Sequence, residues 1–67
     1  MITEIGIVAG EVWHFLDKNN KTSSLENLVN GIDASRETIL MSIGWLAREG
    51  HIVLEGDGPN YNVSLRK

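Results

Sequence analysis

The chain has no cysteine. Disulfide staples and thiolate metal sites are therefore excluded, and nothing more about compartment follows. Proline occurs once, so the backbone is free to run in helices. Aromatic residues are few, and only two are Trp. No apolar run approaches the roughly 20 residues of a membrane span. The opening "MITEIGIVAGEVW" carries Glu4 and Glu11 and no basic residue, unlike a secretory leader. The cytoplasm is the expected compartment. Basic residues are also scarce: six Lys and Arg against nine Asp and Glu leave a net charge of −3. DNA-binding proteins draw most of their non-specific affinity from Lys and Arg at phosphates, so this balance disfavours nucleic acid as a partner. With 67 residues the expectation is one domain over residues 1–67, short of core, which self-association often supplements.

Apolar residues recur at helical spacing from about Glu4 to Asn19, with Ile5, Val8, Ala9, Val12, Phe15 and Leu16 on one side and Trp13 at its edge. Thr3 is the expected cap. "NNKT" at 19–22 breaks the pattern, and a very short strand is expected at Lys21–Ser23. Ser24 then caps a short helix to about Asn30 with Leu28 and Val29 inward. "GIDA" at 31–34 is a turn in which Gly31 or Asp33 can take a left-handed conformation. Ser35 caps a third helix, Glu37 and Arg48 suit its dipole, and Gly50 stops it. "HIVLE" and "YNVSL" alternate as two strands around the turn Gly56–Asn60. Helix, short strand, helix, turn, helix and hairpin is an α+β winged helix-turn-helix order: three helices with a small antiparallel sheet, the C-terminal β-hairpin being the wing.

"LVNGIDASRETI" aligns with the general helix-turn-helix pattern "LAxxLGxSxxTV", with Leu28, Ile32, Ser35, Thr38 and Ile39 at matching positions. Asp33 stands where the turn glycine is usual. "AGEVWHFL" and "GWLAREGHI" are narrower. Through Ala9, Gly10, Trp13 and Leu16, and through Gly44, Trp45, Leu46, Ala47, Arg48 and Glu49, the chain resembles a family of very small prokaryotic winged helix-turn-helix proteins of unknown function. That resemblance covers nearly the whole chain. It implies the winged-helix fold, no known catalytic activity and a homodimer, and it brings no ligand or DNA site.

A helix that reads DNA turns polar side chains to bases and phosphates. On the third helix Ile39, Ile43 and Leu46 form the core stripe, while Leu40, Gly44 and Ala47 lie beside it pointing outward. Met41 and Trp45 continue round the helix. A mid-helix glycine costs about 1 kcal/mol relative to Ala, and close approach of another backbone offsets that cost. Leu40, Met41, Gly44, Trp45 and Ala47 are therefore the expected dimer or partner interface, packed about a two-fold axis. The competing reading is intramolecular: Leu40 and Ala47 pack under the first helix or the wing, and Gly44 makes room for Trp13. Another is sequence-specific DNA binding through Arg36, Thr38, Met41, Ser42 and Arg48, and another an adaptor docking a different protein. The tip Gly56–Asn60 has no basic residue, and Arg66 and Lys67 read as a solvated tail.

Glu11 and His14 have a metal-ligand spacing without matching partners, so no metal is expected. His51 has no evident partner for acid–base work, and no glycine-rich phosphate loop is present. No cofactor, small-molecule substrate, membrane or catalytic activity is expected. The functional expectation is a homodimerising, non-catalytic binding module, with transcription regulation suggested by fold analogy alone.

Overall fold

The computed structural model describes residues 2–56 and 58–66. Its elements are α1 (Ile2–Lys18), β1 (Thr22–Ser24), α2 (Leu25–Gly31), α3 (Arg36–Arg48), β2 (Ile52–Glu55) and β3 (Asn62–Leu65).

Val8, Ala9, Val12 and Leu16 form the buried stripe of α1, as their spacing requires. Thr3 lies inside this helix rather than capping it. At the far end the amides of Asn19 and Lys21 both donate to the Leu16 carbonyl, at 3.1 and 2.7 Å. Asn19 Nδ2 donates to the Phe15 carbonyl at 2.6 Å. These bonds satisfy carbonyls that a helix end leaves unpartnered. The reversal puts Asn20 and Lys21 at φ of 64° and 68°. The Lys21 ammonium sits 2.6 Å from Asp17, one helical turn back, and holds the Asp17 carboxyl below its ordinary 3.8.

Ser24 ends β1 and caps α2, its hydroxyl accepting from the Asn27 amide at 3.2 Å. Leu25 and Leu28 point into the core, with Val29 half-buried. Gly31 is the last residue of α2 and has no positive φ; neither does Asp33. The expected left-handed turn is absent because the Ile32 amide simply continues to the Leu28 carbonyl at 3.1 Å. The glycine serves proximity instead: a Cβ at Gly31 would overlap the Phe15 ring. Gly31→Ala is therefore expected to destabilise. Overlap costs about 1–3 kcal/mol, while alanine returns up to about 1 kcal/mol of helix propensity. A urea midpoint at or above that of the unchanged chain would show that Phe15 swings clear without loss.

Ser35 caps α3, accepting from the Thr38 amide at 3.1 Å. The helix closes as expected on Gly50, at φ +81°. The His51 amide reaches back to the Leu46 carbonyl at 2.9 Å, a glycine-dependent C-terminal stop. The sheet is antiparallel in the order β1-β3-β2. Val63 pairs with Ser23 on one side and Leu54 on the other. Ile52 and Val63 are buried against the helices, but Leu54 is exposed, since the wing carries it beyond the core edge. Core residues from α1, α2, α3, β2 and β3 form one cluster, with α1 packed chiefly on α3. That pairing decides which sides of both helices are left open.

Candidate functional site

The outward side of α3 is a stripe of Glu37, Met41, Gly44 and Arg48, all exposed. Their separations of four, three and four residues place them one above another on a helix. Leu40 and Ala47 flank the stripe on one side and are half-buried against the core. Trp45 flanks it on the other and leans over α1, where a Cβ at Gly6 would lie 3.6 Å from its ring. Met41 and Trp45 remain 40 % and 41 % exposed.

Gly44 has no atom outside its own helix within 4 Å of its Cβ position. It does not make room for Trp13; it leaves a shallow notch open to solvent. The intramolecular reading thus accounts for parts of Leu40, Ala47 and Trp45, and leaves Met41 and Gly44 without a partner in the fold.

Two of the four polar candidates for DNA contact are corrected. Ser42 is fully buried and Thr38 is 6 % exposed. Ser42 Oγ donates to the Thr38 carbonyl at 2.8 Å and to the Ile5 carbonyl at 3.1 Å. It is a hydroxyl seam between α3 and α1. Thr38 Oγ1 hydrogen-bonds the capping hydroxyl of Ser35 at 2.8 Å. Small hydroxyls enter a core when backbone carbonyls take their protons, so neither side chain is available to a base. Arg36 and Arg48 stay exposed. Arg36 is 3.7 Å from Glu26 of α2, which neutralises part of its charge. At the wing tip, Asn60 Oδ1 accepts from the Glu26 amide at 2.9 Å and is turned back onto the domain.

Beside the α3 stripe an open cleft of about 490 Å³ runs between α1 and α3. Gly6, Gly10 and Trp13 form one wall, Trp45, Leu46 and Glu49 the other, and His51 closes an end. The motifs around Trp13 and Trp45 are more than thirty positions apart in the chain, and folding brings them to this one place. Trp13 is not core: it is 40 % exposed, and its ring meets His14 edge-on at 5.5 Å. The convergence escaped sequence reading, because it depends on the packing of α1 on α3. Among the described residues no three His, Asp or Glu side chains come together as a metal site. No helix among them is long and apolar enough to cross a membrane.

A family model described as "Winged helix-turn-helix domain (DUF2582)" matches residues 1–65. The chain belongs to this family. It is 31 % identical over 64 residues to an uncharacterised protein of Methanocaldococcus jannaschii, covering 94 % of this chain and 91 % of that one. Among solved structures, a protein of Bacteroides thetaiotaomicron studied by solution NMR is 30 % identical. It superposes with a TM-score of 0.78 over 94 % of this chain and 76 % of that chain. A structure concerned with the DNA recognition and protein interaction domains of HOP2 also gives 0.78, at 16 % identity over 88 % and 98 % of the two chains. The last similarity is one of fold. Family model and superposition agree on the winged helix-turn-helix fold of this chain.

Proposed function

We propose that this chain is a non-catalytic binding module that forms a homodimer through α3, with a regulatory role in the cytoplasm by analogy of fold. One observation carries the reading. On the helix that winged-helix proteins commonly present to DNA, Met41 and the Gly44 notch are open to solvent, and Trp45, although its ring leans on α1 at Gly6, keeps 41 % of its surface exposed. Exposed Trp and Met with few charges are the composition of an interface core. Charge supports the same side of the choice: a net −3 works against phosphate neutralisation.

A second reading rests on Arg36 and Arg48, the two α3 candidates that remain exposed. They are where the helix would touch phosphates if it binds DNA, and the HOP2 fold similarity is consistent with that role. Docking of a different protein on the same apolar face is the adaptor form of the first reading.

Molar mass in solution separates them. Light scattering on a sizing column should give twice the chain mass of 7.4 kDa at high concentration. The mass should fall toward one chain on dilution and change little with salt. A monomer at every concentration, joined to DNA binding that weakens steeply with salt, would replace the proposal with the DNA reading. A monomer that binds no DNA would leave the adaptor.

A further inference from the structure

We infer that the α3 stripe is self-complementary in one register, an antiparallel pairing about a two-fold axis between Ser42 and Ile43, locked by reciprocal Glu37–Arg48 ion pairs between the two copies. The inference rests on the homodimer reading and names its geometry.

The stripe reads acidic, large apolar, empty, basic from its first turn to its last: Glu37, Met41, Gly44, Arg48. An isologous interface places the same patch on both copies, so any residue that meets another is met by it in return. A second α3 laid antiparallel across this axis puts Met41 of each copy opposite Gly44 of the other. The flexible thioether then enters the notch where no neighbour stands within 4 Å. The same axis puts Glu37 opposite Arg48 at both ends. On the flanks, Leu40 comes close to Ala47 of the other copy, a large side chain again facing a small one, and the two Trp45 rings meet on the opposite flank.

Parallel pairing would instead set Glu37 against Glu37 and Arg48 against Arg48, which like charge opposes. Moving the axis by one turn toward the start of α3 would set Met41 against Glu37 and carry Gly44 past the helix, and moving it the other way would set Arg48 on the notch and carry Met41 past the helix end. Within one chain the two charges cannot satisfy each other, being three turns apart. Neither takes part in an ion pair among the described residues.

Glu37→Arg and Arg48→Glu, made separately in the whole chain, test this. Each replaces two attractive encounters with two repulsive ones, so each homodimer should dissociate roughly 10-fold more readily. Mixing the two variants restores opposite charge at both ends. The mixed dimer should bind within about 3-fold of the original chain, read by sedimentation or by native mass spectrometry with one chain isotopically labelled. Both sites are exposed, and circular dichroism checks that each variant folds. If the original chain dimerises but the variants do not weaken, or weaken without recovery on mixing, the register is wrong and the homodimer reading stands. If the original chain is a monomer throughout, the homodimer reading fails and this inference falls with it.

Discussion

Met41→Glu should raise the dissociation constant of the dimer by roughly 100-fold or more while leaving the fold of the single chain unchanged. The size follows from desolvation. An unpaired carboxylate buried in an apolar contact costs several kcal/mol, a two-fold interface doubles it, and about 2.7 kcal/mol already corresponds to 100-fold in affinity. The fold is spared because Met41 is 40 % exposed and belongs to no core cluster. Gly44→Arg gives the sharper signature. It fills the notch, so association should be lost to a similar degree. Yet the helix gains up to about 1 kcal/mol when its interior glycine goes, a Cβ there meets nothing outside its own helix, and repulsion from Arg48 one turn on takes back only about 0.2–0.5 kcal/mol. Thermal unfolding below the dissociation constant should therefore show a more stable monomer. Above it, the unchanged chain has the advantage, because association adds to its apparent stability. Unchanged mass profiles for both variants would place the interface elsewhere, with the Trp13–Trp45 cleft the next surface to probe.

The fold was legible because its boundaries are chemical. Ser24 and Ser35 cap α2 and α3 in the structure as their positions before apolar runs suggest, and Gly50 stops α3 through a positive φ. The hairpin was legible from alternation around a turn-rich linker. What escaped reading depends on distant contacts. Gly31 looks like a turn glycine, and only the approach of Phe15 from another helix gives its real reason. Trp13 looks like core-edge bulk, and its exposure depends on where α3 crosses α1. The α3 surface was legible in part. Met41, Gly44 and Trp45 are open as expected, but Leu40 and Ala47 turn halfway into the core. Met41 and Gly44 on one stripe with Glu37 and Arg48 form a pattern visible in the residue spacing alone.

Ser42 separates the two descriptions of α3 most strongly. If it were a surface residue poised over DNA, Ser42→Glu would cost little stability and would only repel phosphates. The structure demands the opposite. Ser42 stands one turn before Leu46 and shares its inward side. It is fully buried, with its hydroxyl shared between the Thr38 and Ile5 carbonyls. A carboxylate there would face two carbonyl oxygens with no donor and no solvent. The expected cost is several kcal/mol, against a total stability of about 3–10 kcal/mol for a chain of this length. Ser42→Glu should consequently lose its cooperative unfolding transition in urea and most of its helical circular dichroism at neutral pH. Ser42→Ala removes the donor without adding charge and should cost only about 1–2 kcal/mol, since each carbonyl retains its own helical partner. An exposed control away from α3, Glu11→Gln, should shift the midpoint little. A folded Ser42→Glu chain of ordinary stability would mean that α3 is rotated about its axis, and with it the stripe that carries Met41 and Gly44.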